Sequence, residues 1–249
     1  MMTHQARRRF GQNFLHDPHI IHQIVHAIRP ATRTHLVEIG PGQGALTFPL
    51  LKEAKAFSAI EIDRDLIAFL KSHAPKDFQL IEGDVLKFDF GQFKGPITVV
   101  GNLPYNISTP LLFHLLQFKD RIDEMFFMLQ KEVVIRMAAP PGSKDYGRLS
   151  VMVQYFCEVS PLFLVPPHAF TPAPQVDSMI IRLKPHSVSP YGTIKDFSRF
   201  EKLVLLAFNQ RRKTLKNALK VLDLKLPEAL ASKRAEALCP ADFVALSNL

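Results

Sequence analysis

Four consecutive residues, Asn102-Leu103-Pro104-Tyr105, carry the most specific chemistry in this sequence. An aromatic amine such as that of adenine is a poor nucleophile, because its lone pair is delocalised into the ring. Two acceptors placed around its hydrogens would draw the nitrogen toward tetrahedral geometry and aim the lone pair at an electrophile. The Asn102 side-chain oxygen and the Leu103 backbone carbonyl are suited to that task. Pro104 has a fixed φ and keeps Leu103 extended, so that the Leu103 carbonyl faces outward. Tyr105 offers a flat surface on which an extruded base can stack. The same composition also makes ordinary turns, so the neighbouring motifs must decide.

Three motifs precede the tetrapeptide in an order that suits a nucleotide-like ligand. Gly40 and Gly42 follow a strand-like segment, where missing side chains let the backbone approach a ligand and turn into a helix. Glu61 comes about 20 residues later, the spacing at which an acid receives ribose hydroxyls. Gly40-x-Gly42-x-x-Ala45 also satisfies the alanine-ending dinucleotide fingerprint, so at this point NAD remains open. Asp84, in Glu82-Gly83-Asp84, adds an acceptor for an adenine amine, and a dehydrogenase has no evident use for the tetrapeptide. Together these favour S-adenosylmethionine and transfer of its methyl group to an adenine amine. Positioning would supply most of the rate, since the sulfonium is already a strong methyl donor.

The elements that must hold these residues alternate between strand and helix patterns over the first two-thirds of the chain. Strands are predicted at 35–39, 57–62, 79–81, 97–100 and 125–129, with helices at 20–28, 45–54, 65–72 and 131–138. A further helix opens at Thr109-Pro110, threonine serving as the cap and proline as the first helical residue. After Gly147 come a helix at 148–156, a strand at 159–165, a proline-rich loop and a strand at 178–183. Two late strands without an intervening helix imply an antiparallel edge. The expected fold is therefore α/β, a Rossmann-like, mostly parallel sheet of seven strands with a small all-helical C-terminal domain. The expected domains are residues 1–185 for cofactor binding and catalysis and 186–249 for RNA binding.

Composition narrows the partners. Lysine plus arginine total 31 against 23 acids, a net charge of +8 that suits a polyanion. The segment 199–220 holds Arg199, Lys202, Arg211, Arg212, Lys213, Lys216 and Lys220 against one acid, Glu201, and reads as a basic helix. Arg211, Arg212 and Lys213 are expected to grip RNA phosphates without reading bases. No apolar run approaches the ~20 residues of a membrane span. Cys157 and Cys239 form no CxxC pair, which suits a reducing cytoplasm. The early arginines, Arg7 to Arg9, could suggest a transit peptide, but its cleavage would remove the motif that begins at Gly11. His22 and His26 lie four apart on one helix without a third ligand, and no metal is expected.

The residues resemble a known family, the ribosomal RNA adenine N6,N6-dimethyltransferases. The likeness runs through Phe10-Gly11-Gln12-Asn13-Phe14-Leu15, Glu38-Ile39-Gly40-Pro41-Gly42, Glu61-Ile62-Asp63-Arg64-Asp65 and Gly83-Asp84. It continues through Asn102 to Ser108, Gln130-Lys131-Glu132-Val133, Tyr146-Gly147-Arg148-Leu149-Ser150, the loop Phe170-Thr171-Pro172-x-Pro174-x-Val176-Asp177-Ser178, and Gln210-Arg211-Arg212-Lys213. The resemblance implies that Asn13, Leu15, Gly40, Glu61, Asp84 and Asn102 contact S-adenosylmethionine, and that Phe170 faces Tyr105 across the base pocket. It further implies, as substrate, two adjacent adenosines in the 3′-terminal hairpin loop of 16S rRNA within the 30S subunit, and nothing demands more than a monomer. Gln175 stands where the family loop is expected to carry lysine, which puts one phosphate contact in doubt. The sister enzymes that modify 23S rRNA share the core but usually vary the tetrapeptide's second residue and lack the Gln-Arg-Arg-Lys segment.

Overall fold

The computed structural model describes residues 13–75, 78–104, 107–210 and 212–249. In chain order the first elements are β1 (Phe14–Leu15), α1 (Pro18–Ile28), β2 (Leu36–Ile39), α2 (Thr47–Glu53), β3 (Phe57–Glu61), α3 (Arg64–His73), β4 (Gln79–Glu82), β5 (Ile97–Asn102) and α4 (Ser108–Leu116). They are followed by β6 (Ile122–Gln130), α5 (Lys131–Ala138), α6 (Arg148–Phe156), β7 (Cys157–Val165), β8 (Phe170–Thr171) and β9 (Ser178–Pro185). The remainder is helical: α7 (Phe197–Asn209), α8 (Leu215–Ala218), α9 (Glu228–Ala231) and α10 (Pro240–Ser247). Among the described residues, no helix is long and apolar enough to cross a membrane.

The chain divides into two units, the first running through Lys131 and including Ser160–Pro185. Its sheet has the seven strands expected from the sequence, in the order β4-β3-β2-β5-β6-β9-β7. β2, β3, β4, β5 and β6 pair in parallel, whereas β9 runs antiparallel to β6. β2 and most of β5 are buried throughout, which is why they read as largely apolar runs, interrupted by Glu38 and Thr98. Chain order reverses direction at β2 and β5, the switch point at which open sheets form their ligand crevice. Asp17 caps α1, accepting hydrogen bonds from the amides of His19 (2.8 Å) and Ile20 (3.3 Å). That helix then buries Ile24, Val25 and Ile28 in a cluster with Leu36, Val100 and Phe126. Each such side chain stabilises the fold by about 1.5–3 kcal/mol.

The second unit gathers Glu132–Val159 with His186–Leu249. Polar links tie α6 to α5 and to α7 of the tail. Ser150 Oγ accepts from the Gly147 amide (3.0 Å) and donates to the Arg136 carbonyl (2.5 Å), and Arg148 pairs with Glu201 of α7 at 2.9 Å. Phe200, Leu203 and Phe243 are fully buried within it. The sequence-derived boundary at 185/186 is therefore one of the points where the chain changes unit, and Glu132–Val159 depart from the expected 1–185 grouping.

Two local expectations need correction. α4 begins at Ser108 with Ile107 at its cap position, so Thr109 lies inside the first turn rather than capping it. The basic segment is not one helix: α7 ends at Asn209, and Arg212 and Lys213 sit in the turn before α8.

Candidate active site

A cavity of about 220 Å³ is lined by residues at the carboxyl ends of β2, β3, β4 and β5. Its floor begins at Gly40, whose amide continues the β2–β3 pairing by donating to the Ile60 carbonyl at 3.0 Å. Gly40 has φ +64°, and a Cβ there would meet no atom within 4 Å, so the left-handed backbone rather than crowding requires glycine. Gly101, just before Asn102, answers to the other constraint. A Cβ there would lie 2.8 Å from the Ile39 carbonyl oxygen. The bare backbone thus lets the end of β5 lie close against β2.

Glu61 ends β3 with a nearly buried carboxylate. Its Oε1 accepts from the amides of Ile62 and Asp63, both at 2.9 Å, and its Oε2 accepts from the Gly42 amide at 3.3 Å. The last bond ties the glycine turn to β3. Burial holds the Glu61 carboxyl above the usual carboxylate range, while the three amide donors pull the other way. Asp84 follows β4 and accepts from the Leu86 amide at 3.0 Å, which fixes its place at the cavity wall.

Asn102 Nδ2 donates to the Asn13 carbonyl at 3.1 Å. With the amide nitrogen so committed, Oδ1 is the side-chain atom left to accept from a ligand. The Leu103 amide donates to the Met128 carbonyl at 3.3 Å, anchoring the tetrapeptide to β6. The other wall comes from far along the chain. β1 and β8 form a two-residue antiparallel ladder, with Leu15 opposite Phe170 and Phe14 opposite Thr171, extended by the His16 amide donating to the Ala169 carbonyl at 2.9 Å.

The structure thus brings Asn13, Leu15, Gly40, Glu61, Asp84, Asn102, Leu103, Pro104 and Phe170 to one cavity. Tyr105 and Arg211, also singled out by sequence, lie outside the described residues. Arg212 and Lys213 are exposed in the second unit.

The chain matches the model of the family described as ribosomal RNA adenine dimethylase over residues 3–236. The chain belongs to the ribosomal RNA adenine dimethylase family. It is accordingly an adenine dimethyltransferase of ribosomal RNA. It is 53% identical over 257 residues to a ribosomal RNA small subunit methyltransferase A of Saccharophagus degradans, covering 100% of this chain and 96% of that protein. A dimethyladenosine transferase from Plasmodium falciparum is similar in structure, with TM-score 0.79, 29% identity, and coverage of 94% and 95% of the two chains. The 23S rRNA methyltransferase ErmE shares the fold, with TM-score 0.71 at 24% identity over 95% of this chain and 98% of that one.

Sequence reasoning gave no role to Glu38, which also lines the dimethylase cavity. It is 2% exposed, and its Oε2 accepts from the Thr47 hydroxyl at 2.6 Å. Burial pushes its carboxyl up to about 8, against the pull of the Thr47 bond and with the charge of Glu61 adding to the rise. A signal was present: an acid within the apolar run of 36–39, a position that strand burial alone would fill with valine or isoleucine.

Proposed function

We propose that this dimethylase transfers methyl groups from S-adenosylmethionine to N6 of two adjacent adenosines in the 3′-terminal hairpin loop of 16S rRNA, on the small ribosomal subunit. The observation that carries this reading is the Asn102 amide, held through Nδ2 by the Asn13 carbonyl at the edge of a cavity that also holds Glu61 and Asp84. The donor set fits the cofactor: the Glu61 carboxylate suits ribose hydroxyls, the Asp84 carboxylate suits an adenine amine, and the open space at Gly40 admits a close approach. S-adenosylmethionine supplies, when bound, a methyl group already activated as a sulfonium.

The protein's own contribution is placement. Asn102 Oδ1 and the Leu103 carbonyl take the two hydrogens of the target amine and turn its lone pair out of conjugation. Pro104 keeps Leu103 extended. Phe170, in the cavity wall, is assigned one face of the target base and Tyr105 the other, by stacking. Arg212 and Lys213, with Arg211, are assigned to RNA phosphates, where they set register and affinity without reading sequence.

Radiolabelled methyl transfer to 30S subunits lacking the modification, beside 50S subunits and duplex DNA, tests the assignment. Label is expected in 30S alone. Label confined to 50S moves the reading to the large-subunit enzymes, and label in none of the three refutes it.

A further inference from the structure

Two buried carboxylates, Glu38 and Glu61, share the wall of the cofactor cavity, and the protein treats them differently. Glu61 is surrounded by three amide donors, an arrangement that favours its anion. Glu38 receives one hydroxyl hydrogen bond, from Thr47. The contrast with Glu124 is sharper. That residue is also buried, at 5% exposure, yet Arg33 Nη1 lies 2.6 Å and Arg182 Nε 2.7 Å from its carboxylate oxygens. Glu124 is thus offset by two cations and Glu61 by three amides. Among the described residues no cation is placed against Glu38. α2 presents the Thr47 hydroxyl, β3 ends in Glu61, β5 places Val100 alongside, and the turn after β4 adds a further acid, Asp84, to the same cavity.

An anionic Glu38 would therefore be a buried charge beside a second acid, with one neutral donor to offset its desolvation. The missing positive charge matches the ligand: S-adenosylmethionine carries a sulfonium and an ammonium against a single carboxylate. Resting on the cofactor assignment above, we propose that Glu38 is a neutral carboxylic acid in the ligand-free protein and yields its proton to solvent as the cationic cofactor enters. Cofactor loading is then an exchange of one positive charge for another, and the cavity is near neutral at Glu38 in both states. The rise of the Glu38 carboxyl to about 8 agrees with this.

The sign of the pH dependence follows. Below that value the ligand-free protein holds a proton that binding must expel, so lowering the pH opposes binding; above it the proton is already gone and Glu38 adds no further rise.

Calorimetric titration of the full chain with S-adenosylmethionine, in two buffers of contrasting ionisation heat, measures the exchange. At about pH 7 the wild-type protein is expected to release close to one proton per cofactor bound. Its affinity should rise up to about tenfold per pH unit as the pH approaches about 8, where that rise ends. Glu38→Gln keeps the neutral shape of the resting side chain, so it should fold, release no proton at about pH 7 and lack the wild type's rise in affinity with pH. Thr47→Val removes the donor that favours the anion, and should shift the break in the profile to higher pH. Buffer-independent heats for the wild type, or proton release that persists in Glu38→Gln, would overturn the proposal while leaving the cofactor assignment intact. Failure of the wild type to bind S-adenosylmethionine at any pH would overturn both.

Discussion

The cofactor cavity and the basic turn before α8 are built on opposite principles. In the cavity three polar side chains are committed to backbone atoms: Glu61 to three amides, Asp84 to the Leu86 amide and Asn102 to the Asn13 carbonyl. At the turn, Arg212 and Lys213 are exposed, and the bond that shapes it runs between backbones, from the Lys213 amide to the Gln210 carbonyl at 2.9 Å. Polar groups in a buried, preorganised site act through where they point. Cations in water act through their charge, and their effect falls with salt. Chemistry should therefore be intolerant of small changes in the first region, and affinity should degrade gradually in the second.

Asn102→Ala attacks the contrast where the effect should be largest. Loss of one of the two acceptors on the target amine is expected to lower the methyl-transfer rate about 10²–10³-fold, measured as single-turnover transfer to 30S subunits. Much of the RNA binding should survive; an unchanged rate would show that the amide does not act on the amine. Arg212→Glu with Lys213→Glu should have the smaller effect. Subunit binding should weaken by about tenfold, with the salt slope flattened by about one for each phosphate no longer neutralised, while the rate at saturating substrate stays close to wild type. A salt slope equal to the wild type's would remove the turn from the RNA interface.

Much of the first region was legible because its signals are local. The apolar runs around Val37 and Val99 announce buried parallel strands, and the glycines, Glu61, Asp84 and Asn102 fall at the ends of those strands in chain order. The β1–β8 ladder was not legible. Two-residue strands have no periodicity, and Phe14 and Phe170 are extended because each pairs with a segment distant in sequence. The end of α7 was hidden for a different reason: Gln210 carries φ −128° and ψ 67° without a glycine or proline to mark the stop, and the sequence goes on with Arg211, Arg212 and Lys213, residue types that favour helix. The grouping of α6 with α5 and the tail depends on the bonds of Ser150 and Gln154 to α5 carbonyls and on the Arg148–Glu201 pair, which are tertiary contacts. A boundary read along the chain could follow only the linker after Pro185. Glu38 shows the limit at the site itself: its position was visible, but its lack of a cation became apparent only from the neighbours that folding brings to it.

The most direct test of the account is nucleoside mass spectrometry of 16S rRNA recovered from unmodified 30S subunits after incubation with S-adenosylmethionine and the wild-type chain or Asn102→Ala. The account predicts N6,N6-dimethyladenosine at two adjacent positions of the 3′-terminal hairpin loop with the wild type, and unmodified adenosines with the variant over the same interval. Methylation at another atom or another rRNA site, or equal products from both proteins, would contradict it.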